Sequence, residues 1–195
     1  MFDALAKLTR GDEIRLSDGS GRVLFTADEI RQRVEQLGAR LAEDYREKTP
    51  VLVAILRGGF VFACDLARAS RIPQEIDFLS VSRFNPADKG RTAVKVLHDL
   101  RSDVRGRHVV IVEGIRTGST KIEYIRTFLQ LHDPASISFA ALVHHNGERN
   151  REFPLQYKGF EIGEEFVIGC GLDYQERYRN LPLIATFTPS ASRTL

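Results

Sequence analysis

The chain has 195 residues, enough for one domain with a core and a small appendage and too few for two domains of ordinary size. Lys and Arg number 28 against 26 Asp and Glu, and this near-neutral balance, with no basic stripe, argues against a general nucleic-acid binder. No run approaches the length needed to cross a bilayer and Met1 to Arg10 lacks the pattern of a secretory signal, so a cytoplasmic protein is expected, with Cys64 and Cys170 as isolated reduced thiols.

Residues 1 to 25 are weakly patterned, with Asp18-Gly19-Ser20-Gly21 predicted as a turn between two short extended pieces. Thr26-Ala-Asp-Glu29 has the form of a capping box. Ile30, Val34, Leu37, Leu41 and Tyr45 then recur at helical spacing up to about Glu47, which predicts an amphipathic helix covering a sheet. Thr49-Pro50 breaks it, and Val51 to Ile55 reads as a buried strand. Leu56-Arg57-Gly58-Gly59 follows directly, and Phe60 to Arg71 resumes helical spacing. That loop reads either as a tight turn carrying one surface arginine, or as a place where the amides of Gly58 and Gly59 approach a diphosphate while Arg57 supplies charge. After Ile72-Pro73, Gln74 to Phe84 alternates as a strand, with Ile76 and Phe78, and Val81 after them, to one side. Residues 85 to 93 are polar and rich in breakers, and Val94 to Leu97 is extended again.

The stretch His108 to Thr120 carries the strongest local signal. Four apolar residues, three of them valine, predict a strand buried on both faces that stops at Glu113. Two glycines and three hydroxyl residues occupy the turn, and from Lys121 onward Ile122, Ile125 and Phe128-Leu129 have helical spacing. Unpaired amides at a helix start, in a loop without bulky side chains, suit a phosphate, to which Thr117, Ser119 and Thr120 can add hydroxyls; the same residues also serve as ordinary N-caps. Ser136 to Val143 is a further apolar strand, ended by His144-His145, which point to opposite faces and make a poor metal pair. Residues 146 to 158 read as a charged loop, Phe160 to Ile162 and Phe166 to Gly169 as short extended runs, Leu183 to Phe187 as the last strand, and 188 to 195 as a frayed tail. The alternation of strands and helices predicts an α/β fold, a twisted, mostly parallel sheet with helices on both faces. Ligands of such a sheet sit beyond the carboxyl ends of its strands, where both small-residue loops open.

The run from His108 to Thr120 resembles the phosphoribosyl-diphosphate (PRPP) motif of type I phosphoribosyltransferases. A second run, Phe166-Val-Ile-Gly-Cys-Gly-Leu-Asp-Tyr-Gln-Glu-Arg-Tyr-Arg-Asn-Leu-Pro182, is similar to the C-terminal signature of hypoxanthine-guanine phosphoribosyltransferases. The resemblance implies one phosphoribosyltransferase domain with a hood built from the terminal segments and a flap over about residues 83–97; a plain hairpin loop is the alternative to the flap. It implies transfer of ribose 5-phosphate from PRPP to hypoxanthine or guanine in purine salvage, with Mg2+, in a homo-oligomer, dimer or tetramer. By the same resemblance Thr117, Gly118, Ser119 and Thr120 match the 5-phosphate cradle and Glu113 the first acid of the motif. Arg57, Gly58 and Arg179 match pyrophosphate contacts, and Asp173 a magnesium ligand. Phe166 matches the aromatic that stacks on the purine, and Val167 the residue whose main chain reads the base edge.

Several positions depart from the family pattern. The loop between Glu113 and Thr117 is one residue short, Gly114 stands for the second acid, and Arg116 sits where the family carries an Asp as general base; an arginine stays protonated and cannot accept a proton. Arg83-Phe84 replaces a Ser-Tyr pair, and His144, or His145 if the gap falls elsewhere, replaces the lysine that meets the purine oxo group. Two functions therefore stand side by side. One is an active purine phosphoribosyltransferase, slowed by the missing base; the other is an impaired homologue that binds nucleotide or PRPP as a regulator or sensor.

Overall fold

The structure, a computed structural model, describes residues 5, 7–84, 93–116, 120–145 and 154–190, with backbone alone at 83, 84, 93, 116 and 120. The apolar runs become the centre of a six-stranded sheet. Strands β3 (Val51–Leu56), β6 (His108–Arg116) and β7 (Ser136–His145) lie side by side and parallel, because their side chains are apolar on both faces and need cover on both. β4 (Glu75–Phe84) adds parallel to β3, β8 (Tyr157–Ile162) parallel to β7, and β5 (Ala93–His98) closes the far edge antiparallel to β4. The sheet order is β5-β4-β3-β6-β7-β8.

Helices supply the cover. α1 (Ala27–Asp44) begins at the Thr26 box, in which the Thr26 hydroxyl accepts from the Glu29 amide at 3.2 Å and the Thr26 amide donates to Glu29 Oε2 at 2.8 Å. Its Ile30, Val34, Leu37 and Leu41 pack with Phe62 and Leu66 of α2 (Phe60–Ser70) against Leu52, Val110 and Leu142 on one face of the sheet. On the other face Ile122, Ile125 and Leu129 of α3 (Thr120–Gln130) pack on Val53, Val109 and Ile111. Each such side chain withdrawn from water contributes about 1.5–3 kcal/mol. No described helix is long and apolar enough to cross a membrane.

A second sheet forms from both ends of the chain. β1 (Glu13–Leu16) and β2 (Gly19–Phe25) form a hairpin, and β2 pairs in turn with β10 (Ile184–Thr186), which pairs with β9 (Val167–Ile168). The expected turn over residues 18–21 is shorter: only Ser17-Asp18 turn, and Gly19 to Gly21 lie inside β2. A side chain on Gly21 would run into the Thr186 carbonyl, so this glycine marks a close strand crossing.

Four further expectations are corrected. β6 does not stop at Glu113 but pairs with β7 as far as Arg116, because pairing with a neighbour, and not local composition, sets where a strand ends. Val81 packs with Leu79 in the core beneath α3 while Phe78 packs on the opposite face, as period-two alternation requires. β8 starts at Tyr157, inside the segment expected to loop. Finally, the expected frayed tail is ordered at its start, where β11 (Thr188–Pro189) pairs with β2.

Candidate active site

Three separate segments converge on one backbone carbonyl at the carboxyl edge of the parallel sheet. The loop Arg57-Gly58-Gly59 links β3 to α2, and the peptide joining Leu56 to Arg57 is cis. A Cβ on Gly114 of β6 would overlap the Gly58 oxygen, standing 2.8 Å from its carbon and 3.0 Å from Leu172 Cδ2. A Cβ on Gly171 would lie 2.5 Å from the same oxygen, and Gly171 has φ +96°, a conformation that favours glycine. The loop after β3 is thus seated between β6 and residues 169–172, and its closeness to both rests on missing side chains.

Charges from two of these segments meet across the cleft. Arg57 Nη2 donates to Glu176 Oε1 at 2.8 Å, and Arg179 Nη2 reaches Glu176 Oε2 at 2.9 Å and Asp173 Oδ1 at 2.8 Å. Arg179 Nη1 donates to the Gly171 carbonyl at 2.7 Å, while its Nε is buried with no partner among the described residues. The Glu176 amide donates to Asp173 Oδ2 at 2.9 Å. The hydrogen bond from Arg179, with the fields of Arg179 and Arg57, holds the Glu176 carboxyl below its usual value. The chain turns sharply here, with Gln175, Glu176 and Tyr178 all at positive φ.

Beneath this, Glu113 continues the face of β6 that carries Val109 and Ile111, so it meets α3. Its side chain is 5% exposed and Lys121 Nζ stands 2.8 Å from Oε1. The contact is an ion pair outside hydrogen-bond geometry, since that oxygen has no hydrogen-bond partner among the described residues. The backbone of Arg116 pairs with that of His144, which lies opposite Glu161 of β8 on its other side. Phe166 is 54% exposed and stands edge-on to Tyr174 at 6.1 Å, while its neighbour Val167 is buried in β9, paired with Thr186. Residues Thr117, Gly118 and Ser119 lie outside the described residues, as do the side chains of Arg116 and Thr120 and most of the expected flap; the backbone of Thr120 opens α3.

Arg57, Gly58, Asp173 and Arg179 meet at the carboxyl edge of the six-stranded sheet, Glu113 and His144 lie toward the carboxyl ends of β6 and β7, and Val167 belongs to β9 of the second sheet with Phe166 just before it. Lys121, Glu176 and Gly171 were not among the expected site residues. Glu176 and Gly171 lie within the second motif, where their composition was visible, yet only the folded geometry gives them partners. No cluster of three potential metal ligands occurs among the described residues. Asp173 still suits magnesium, which takes few protein carboxylates and fills its shell with water and phosphate oxygens.

An open, mostly parallel sheet with glycine loops and two arginines at its carboxyl edge defines an α/β protein of the kind whose ligands sit at that edge. Residues 24–175 match the phosphoribosyl transferase domain family, and the chain belongs to that family. It is 37% identical over 164 residues to the hypoxanthine phosphoribosyltransferase of Salmonella typhimurium, covering 83% of this chain and 92% of that protein. With the hypoxanthine-guanine phosphoribosyltransferase of Mycobacterium tuberculosis it shares 33% identity over 189 residues, covering 93% and 94%. The crystal structure of a hypoxanthine phosphoribosyltransferase from Staphylococcus aureus superposes with a TM-score of 0.80 at 35% identity, over 86% of this chain and 91% of that one.

Proposed function

We propose that this chain transfers ribose 5-phosphate from PRPP to a ring nitrogen of hypoxanthine or guanine, releasing pyrophosphate. The observation that carries the reading is the convergence at Gly58, which sets Arg57 and Arg179 beside one another at the carboxyl edge of the sheet. In this reading Arg57, the Gly58 backbone and Arg179 receive the pyrophosphate. Thr117, Gly118, Ser119 and Thr120 at the start of α3 cradle the 5-phosphate, and Glu113 stands as the first acid of the motif. Phe166 offers an exposed ring to stack on the purine, the Val167 main chain reads its edge, and His144 stands for the residue that meets the oxo group. Asp173 would hold Mg2+, which supplies charge neutralisation of the departing pyrophosphate. Residues 83–97 act as a flap and the second sheet as a hood, and the chain assembles as a dimer or tetramer.

The reaction breaks the bond from the ribose anomeric carbon to a pyrophosphate oxygen and makes one to the purine nitrogen, which must shed its proton. Arg116 cannot take that proton, which passes to water or to the released pyrophosphate, so the stabilised departure of pyrophosphate carries the rate. Loss of a positioned base costs about two to four orders of magnitude and leaves a measurable reaction. Formation of labelled nucleotide from PRPP with hypoxanthine, guanine, xanthine or adenine tests this. Product is expected with hypoxanthine or guanine; nucleotide binding without turnover on any of the four would make the chain a sensor.

A further inference from the structure

The loop after β3 and the turn of residues 173–179 are tied across the cleft by a single carboxylate. Glu176 offers one oxygen to Arg57 and the other to Arg179, at 2.8 and 2.9 Å. Two guanidiniums around two anionic oxygens is the arrangement that a diphosphate asks for. Resting on the reading in which these arginines receive pyrophosphate, we propose that Glu176 is an internal competitor for the pyrophosphate group of PRPP, occupying both cations until substrate displaces it.

The surroundings of the carboxylate support displacement. The Glu176 side chain is 54% exposed, so its two ion pairs are wet and cheap to break. It sits on a turn closed by reciprocal backbone hydrogen bonds between Tyr174 and Arg177, which hold whether or not the side chain swings away. Arg179 keeps its hydrogen bond to the Gly171 carbonyl and its ion pair with Asp173 after losing Glu176, and so stays aimed at the cleft. Arg57 has Glu176 as its one side-chain hydrogen-bond partner among the described residues, so displacement frees it entirely. A ligand with one negative charge offers these cations no more than Glu176 does, whereas a diphosphate offers both charge and span. The contact therefore selects for diphosphates over monoanions.

Titration calorimetry with pyrophosphate and magnesium, on the intact protein, tests the idea. Glu176→Gln keeps the shape and removes the charge, and it is expected to bind pyrophosphate about three- to tenfold more tightly than the parent, the range that two exposed ion pairs give. Glu43→Gln, an equal charge change at an exposed position of α1, is expected to leave affinity unchanged. In an Arg57→Ala background the gain from Glu176→Gln is expected to shrink, because one of the competed cations is gone. Equal or weaker binding by Glu176→Gln overturns the proposal and makes Glu176 a residue that positions the arginines. If neither the parent nor Glu176→Gln binds pyrophosphate, the placement of pyrophosphate in this cleft fails, and the competitor role with it.

Discussion

A side chain at position 114 has nowhere to go, because the Gly58 carbonyl and the Leu172 methyl already fill the space above it. The sequence presents Gly114 as a lost acid, a position where the family motif carries a second carboxylate. The structure gives the vacancy a cause: the loop after β3 comes down onto the backbone of β6. Putting the acid back therefore does not mend the motif. Gly114→Asp is expected to lift Arg57-Gly58-Gly59 off the strand at a cost of about 1–3 kcal/mol and to raise the KM for PRPP by about tenfold or more. PRPP titrations beside urea unfolding check both figures. A variant more active than the parent would mean that the missing carboxylate, and not the close approach, limits this site. The departure itself was legible in the chain, but its reason was not, since it lies in a contact between residues far apart in sequence.

Elements with a dense local signal were readable: the Thr26 capping box, the helical spacing of α1 and α2, and the apolar runs of β3, β6 and β7 all recur in the structure. The short strands β9 to β11 were not, or only in outline, because two or three residues become a strand only through the partner they find. Asp77 of β4 is another feature that only the fold reveals. It is buried, and its carboxylate accepts from the amides of Phe78 at 2.7 Å, Arg101 at 2.8 Å and Ser102 at 2.7 Å, fastening the segment after β5 to the sheet. Burial pushes this carboxyl up, but the three amides outweigh it and hold it below its usual value. A carboxyl depressed in the folded state contributes stability that is fully present above its unfolded value of about 3.9 and fades as pH falls through the folded value. Asp77→Asn is thus expected to cost about 1–3 kcal/mol near neutral pH, with the gap to the parent narrowing below about pH 4. Urea unfolding at a series of pH values measures this, and a gap independent of pH would assign the loss to shape instead of charge.

At the scale of the whole molecule, the two ends of the chain meet to shape the cleft. The turn between β1 and β2 carries Asp18, whose carboxylate accepts from the Tyr178 hydroxyl and from Arg177 Nη1 at 3.1 Å, and whose carbonyl accepts from the Ser190 amide at 2.9 Å. The rings of Tyr174 and Tyr178 in turn pack on Phe187, with centroids 4.6 and 5.6 Å away. The second sheet therefore grips residues 173–179 from behind while their front faces present Asp173, Glu176 and Arg179 to the cleft. In the proposed reading Phe166 and Val167 meet the purine; they are held by the pairing of Val167 with Thr186 and by the Phe187 amide donating to the Phe166 carbonyl, bonds in which Asp18 has no part, and the turn reaches them through the edge-on contact of Tyr174 with the Phe166 ring. Loosening Asp18 should then reach one substrate more than the other. Asp18→Ala removes a partly exposed ion pair and a tyrosine hydrogen bond, a loss of about 1–2 kcal/mol of stability. We expect the KM for PRPP to rise about three- to tenfold while that for the purine stays within about twofold, as measured by varying each substrate at saturation of the other. A parallel rise in both constants would show that the second sheet steadies the cleft as one body, and that the grip of Asp18 on this turn has no separate part in holding the diphosphate.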